Sequence, residues 1–148
     1  MRAADLAAPY PTVRLDSTVL DAARLMAAEN LPGLVVVDDA GRPVSVLPGT
    51  QVLRLAVPGY VQEDPTLARV IDEESADAFL ENMHARDVAS CLLTEKRELP
   101  VVRGDDTVLE VAALMARARS PLVAVVDDDG VLTGVITTDA LLDRMLSR

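Results

Sequence analysis

Few residues in this chain of 148 are of the types that do chemistry, and their spacing excludes most reactions. Cys91 is the only cysteine and His84 the only histidine. A nucleophile and its base must share hydrogen-bond reach and an orienting partner, and no third group is evident beside these two. There is no Gly-x-Ser-x-Gly elbow and no Gly-x-x-x-x-Gly-Lys phosphate loop. A lone cysteine cannot form an intrachain disulfide or a thiolate metal cluster, so Cys91 reads as a small apolar residue. His84 stands near the end of a predicted linker helix, where it interacts favourably with the dipole. Two acidic runs invite a cation at first sight. Asp127-Asp128-Asp129-Gly130 lacks the later bidentate acid of a calcium loop and has hairpin-turn composition, while Asp72-Glu73-Glu74 reads as a solvated helix start. No catalytic and no metal-ligating residue is assigned. What remains is Thr137-Thr138-Asp139, placed where an apolar run gives way to a helical pattern. A hydroxyl there caps the helix, and an acid beside it favours the positive end of the dipole.

The elements that hold these residues are written twice. Shifting the sequence by 89 residues aligns Thr18–Arg54 with Thr107–Asp143 without a gap, and 15 of the 37 positions are identical. Repetition at this density marks a duplicated structural unit. Each copy opens with a short extended run, Thr12–Leu15 or Leu99–Val102. A helix follows, announced by the capping-box patterns Thr18-x-x-Asp21 and Thr107-x-x-Glu110. Val19, Ala23 and Met26, like Val108, Ala112 and Met115, fall on one helical face, which is predicted to be the buried one. Pro32 and Pro121 end this part. The continuous runs Leu34–Val37 and Leu122–Val126 then predict central strands, apolar on both sides of the pleat. Asp38-Asp39-Ala40-Gly41 and Asp127-Asp128-Asp129-Gly130 turn each into a second strand, Pro43–Leu47 or Val131–Ile136. A closing helix carries Val52, Leu53 and Ala56 in the first copy, and Leu141, Leu142 and Met145 in the second. The predicted division is a first copy over 1–59, a helical linker over 60–83 and a second copy over 84–148. Within the linker, Leu67, Val70 and Ile71, then Ala76, Phe79, Leu80 and Met83, are spaced for two short helices.

Composition narrows the partners. Half the residues are hydrophobic and only Tyr10, Tyr60 and Phe79 are aromatic, so the core rests on aliphatic packing. The net charge of −10, with Lys and Arg scattered, disfavours nucleic acid and the anionic face of a membrane. No stretch reaches the ~20 apolar residues of a membrane span, and the N-terminus has no signal-like apolar core, so a cytoplasmic location is expected.

The duplicated pattern Thr-Val-Leu-x-x-Ala-x-Leu-Met, then Pro, a Val-rich strand, Asp-Asp-x-Gly and a further strand, resembles a CBS-domain pair, or Bateman module. The likeness runs from about Ala3 to the C-terminus, apart from the linker, and is strongest in the second copy, which ends Gly134-Val135-Ile136-Thr137-Thr138-Asp139-Ala140-Leu141-Leu142. The resemblance implies an α+β fold of tandem CBS repeats, β-α-β-β-α twice, related by a pseudo-two-fold axis with a helical linker between. It implies clefts at the junction that hold adenosine compounds such as AMP, ADP, ATP or S-adenosylmethionine as regulatory ligands, with no cofactor required. It also implies a homodimer and an enzyme or transporter partner, here regulated in trans.

By the same resemblance, a Thr or Ser at position 137 and an Asp three residues later bind phosphate and ribose at the start of the second helix. Thr137 fits. Position 140 is Ala, and the acid comes one residue early at Asp139, a turn of ~100° on a helix. Thr137, Thr138 and Asp139 are therefore the expected ligand-binding residues. The first copy departs further, with Ser45, Pro48 and Gln51 in place of the Gly, Thr and Asp. The expected function is a non-catalytic sensor of an adenine nucleotide or related adenosyl ligand. The alternative is a ligand-free interaction or assembly module that has kept the fold and lost the site.

Overall fold

A computed structural model describes residues 1–56, 63, 64, 66, 73–94 and 98–147. Among them, α1 (Ala3–Leu6) precedes a first unit of β1 (Thr12–Arg14), α2 (Val19–Glu29), β2 (Gly33–Val37), β3 (Pro43–Pro48) and α3 (Gly49–Ala56). Two helices, α4 (Glu73–Ala85) and α5 (Val88–Thr94), lead to a second unit of β4 (Val101–Arg103), α6 (Val108–Ala118), β5 (Leu122–Val126), β6 (Leu132–Thr137) and α7 (Thr138–Leu146). The expected helix around Leu67, Val70 and Ile71 lies outside the described residues, as does Asp72 of the acidic run. No described helix is long and apolar enough to cross a membrane.

Each unit is an α+β layer with a three-stranded sheet ordered β1-β2-β3 or β4-β5-β6. The first pair is parallel and the second antiparallel, with Val13 opposite Val36 in one copy and Val102 opposite Val125 in the other. The central strands are buried along their whole length, because each faces its own helices on one side and the other copy on the other. In β2, Leu34 and Val36 join the helix-side core, while Val35 and Val37 point into the seam with Val46, Leu122 and Val135. This is why the runs are apolar without alternation.

The local signals act as their chemistry requires. The Thr18 hydroxyl accepts the Asp21 N–H at 3.1 Å and the Thr107 hydroxyl accepts the Glu110 N–H at 3.2 Å. Only this half of each capping box forms among the described residues. On α2 the buried residues are Val19, Ala22 and Met26, and on α6 Val111 and Met115. Ala23, Val108 and Ala112 of the predicted stripe are only half-buried, and the buried positions Ala22 and Val111 lie one residue off it. In the turns, the Asp38 carboxylate accepts the N–H groups of Ala40 and Arg42, and Asp127 those of Asp129 and Val131. Gly41 and Gly130 take the positive φ that closes each hairpin, at 80° and 81°. Those carboxylates are spent on backbone donors, as the turn reading expects.

The copies also exchange segments. The N-terminal arm lies on the second copy: the N–H groups of Ala3 and Ala4 donate to the carbonyls of Asp106 and Gly104 at 2.8 and 2.9 Å, and Ala8 pairs with Val135. Reciprocally, residues leading into α5 lie on the first copy. Val19 donates to Arg86 O, Val88 to Ser17 O and Ala89 to Leu15 O at 2.8–3.0 Å, and Met83, Val88 and Cys91 enter its core. Asp87 caps α5 through the Ser90 N–H and hydroxyl, both at 2.8 Å, and these bonds hold its carboxyl below its ordinary value. The hairpin tips add a further link, Leu132 N–H to Gly41 O at 3.0 Å. The pseudo-two-fold relation is thus built into the backbone, with each arm finishing the other copy's structure.

Candidate functional site

Docking the copies leaves a cleft of about 620 Å³ lined by Tyr10, Asn30, Leu31, Pro32, Pro121, Thr137, Thr138 and Asp139. Its two walls differ. The second copy supplies the start of α7. The Thr137 hydroxyl accepts the Ala140 N–H at 3.2 Å as the helix cap, so its own hydrogen remains available to donate. Thr138 donates both its N–H and its hydroxyl to Pro121 O, at 3.1 and 3.2 Å, which fixes the strand-to-helix corner. Asp139, in the first turn of α7, is exposed at the rim. The three sequence-predicted residues therefore share one wall, with two hydroxyl oxygens, a carboxylate and the positive end of a helix dipole.

The first copy supplies the opposite wall, which is mainly apolar. Tyr10 bridges the helix-side core and the seam, and its hydroxyl donates to Gly33 O at 2.7 Å. Burial, aided by the charge of Glu29, pushes its phenol up to about 12, so it stays neutral at physiological pH. Leu31 and Pro32 follow the end of α2, where Asn30 holds a left-handed conformation at φ 54°. None of these four was predicted as a site residue. Pro32 gave a partial signal as a repeat match, whereas Tyr10 and Asn30 enter the cleft only through docking of the copies.

The equivalent corner in the first copy cannot present the same groups. Pro48 stands where Thr137 does and has no hydroxyl, and Ser45 is buried. Gln51 is 2% exposed and donates its Nε2 to Cys91 O at 3.0 Å, inside the first core. A second hollow of about 550 Å³ lies beside the arm, lined among others by Arg103, Asp105, Asp127 and Asp128. Three of its charges are engaged internally: Arg103 pairs with Asp128, and Asp127 holds the turn. Among the described residues no three His, Cys, Asp or Glu side chains converge on a common point. Cys91 is buried in the first core while His84 is exposed on α4.

Tandem β-α-β-β-α units sharing a seam, with a two-walled cleft at their junction, define a paired α+β module. The chain belongs to the CBS domain family, which it matches over residues 3–57 and 81–147. Among solved structures it is similar to a CBS domain-containing protein of unknown function from Kribbella flavida DSM 17836, with 50% identity, a TM-score of 0.86 and 99% of each chain covered. It also shares the fold of CBSX2 in complex with AMP, at 21% identity and a TM-score of 0.70, covering 98% of this chain and 96% of that one. CBSX2 crystallised as a CBS-pair protein from Arabidopsis thaliana gives a TM-score of 0.76 at 21% identity, covering 98% of this chain and 94% of that one. A search of curated proteins returned no match.

Proposed function

We propose that the chain is a non-catalytic regulatory module that binds an adenine nucleotide or related adenosyl ligand in the cleft between its copies. The observation that carries this reading is the division of the cleft into an apolar wall from the first copy and a hydroxyl-bearing helix start from the second. A nucleoside has the same division, a flat apolar base joined to a sugar rich in hydroxyls. The AMP complex of CBSX2, a protein of the same fold, supports the choice of adenosine chemistry. The charge of the lining refines it. Among the described lining residues there is one carboxylate and no Lys or Arg, which favours AMP or the sulfonium of S-adenosylmethionine over ATP.

The module works as a homodimer in the cytoplasm, on an enzyme or transporter in trans. In the first copy α4 lies across α2 and α3, whereas Leu109, Leu142 and Met145 on α6 and α7 are at least half exposed. That face is the proposed contact with a second copy. A ligand then regulates only by favouring one arrangement of the dimer over another.

One observation favours a second reading, a ligand-free interaction module: Ala140 occupies the position of the family's ribose-binding acid, and in the first copy Pro48 stands in place of the capping threonine. Calorimetric and thermal-shift titration with AMP, ADP, ATP and S-adenosylmethionine, with light scattering on the same samples, separates the two. The nucleotide reading predicts binding by a species of twice the chain mass, weakened at least about tenfold by Thr137→Val or Asp139→Ala. The ligand-free reading predicts no response at millimolar concentration, and only the loss of about 1 kcal/mol of stability from the missing cap in Thr137→Val.

A further inference from the structure

Asn30 and Arg119 are the only non-glycine residues with positive φ among those described, at 54° and 51°, and they are equivalent positions of the repeat. A left-handed residue at a helix end satisfies the last carbonyls, and here the Asn30 and Leu31 N–H groups both reach Met26 O. Asparagine is the ordinary non-glycine choice for that conformation. The second copy shows that the backbone alone does not demand it, since Arg119 adopts the same conformation at the same place. The side chain at position 30 is therefore free to answer to its surroundings, and these are the cleft.

On the first copy's wall none of the other three lining side chains offers a donor to a ligand. Leu31 and Pro32 have apolar side chains, and the Tyr10 hydroxyl, whose hydrogen goes to Gly33 O, can only accept. The exposed Asn30 amide makes no hydrogen bond among the described residues. It carries a donor and an acceptor side by side, the complement of adenine N7 and N6–H₂. Hypoxanthine and guanine present two acceptors, O6 and N7, on the same edge, and one of them faces the amide oxygen.

We infer that Asn30 is a base-selecting residue, reading the N6/N7 edge of adenine from the wall opposite the α7 helix start. The inference rests on the nucleotide reading of the cleft and adds that adenine is distinguished from 6-oxopurines by one side chain. Arg119 at the equivalent position carries only donors and cannot make the same distinction.

The test is calorimetric titration of the full chain with AMP, IMP and GMP, for the wild type, Asn30→Gly and Asn30→Asp. Glycine keeps the left-handed backbone, so the melting temperature of Asn30→Gly is expected to hold or rise. The wild type should prefer AMP over IMP and GMP by about tenfold or more. Asn30→Gly should weaken AMP by about the same factor, leave IMP nearly unchanged and so erase the preference. Asn30→Asp, folded but without the donor to N7, should also weaken AMP, while its carboxylate still accepts from N6–H₂ and faces O6 of IMP and GMP, so the order of preference is kept. A wild type that binds AMP, with an AMP to IMP ratio that survives in Asn30→Gly, overturns the inference while leaving the cleft reading intact. A wild type that binds none of the three overturns the cleft reading, and the inference with it.

Discussion

Replacing Leu122 with alanine should destabilise the whole chain by about 2–5 kcal/mol, in a single unfolding transition. Leu122 is fully buried in the seam with Val35, Val37, Val46 and Val135, so its side chain touches both copies at once. Its deletion leaves a cavity that neither sheet can close alone, because Leu122 also pairs with Thr137 and its carbonyl takes the Ser120 hydroxyl at 2.7 Å. The repeat places Gly33 at the matching position of the first copy, so no second leucine stands there to repack the gap. Chemical denaturation followed by circular dichroism reads the result. Two separate transitions, with only one of them moved, would mean that the copies are independent domains.

Gly134→Val should cost about 1–3 kcal/mol and free the N-terminal arm. A Cβ at Gly134 would stand 2.9 Å from the Ala7 Cβ and 3.4 Å from the Ala8 backbone, closer than the arm allows. The arm must lift, which breaks the two bonds between Ala8 and Val135 and exposes the wholly buried Ala3. Because the arm runs on into Tyr10, the same change should weaken ligand binding in the cleft. Trypsin cleavage at Arg2, followed by mass spectrometry, reports the arm directly. Cleavage at the wild-type rate, with unchanged stability, would show that the arm carries none of this load.

Much of the fold was legible because its signals are local. Gly41 and Gly130 mark turns whose backbone needs positive φ, Thr18 and Thr107 mark helix starts, and the β2 and β5 runs announce strands buried on both faces. The exchange of arms was not legible. Ala3–Leu6 has no period to read, and its partners Gly104 and Asp106 lie about a hundred residues along the chain. The helix Val88–Thr94 was hidden for a similar reason, since it is organised by packing on the first copy and capped by Asp87. The cleft divides in the same way. Thr137, Thr138 and Asp139 sit on one local corner and were found by their order in the sequence. Tyr10 and Asn30 come from two separate loops, and only docking of the copies places them opposite that corner.

Amide hydrogen exchange of the wild-type chain, with and without saturating AMP, bears most directly on the central claim that the cleft between the copies holds the ligand. Protection is predicted on both walls together, at residues 30, 31 and 33 from the first copy and 137–140 from the second, with little change at the turns carrying Asp38 and Asp127. Protection confined to one copy, or found around Arg103 and Asp128 instead, would contradict it.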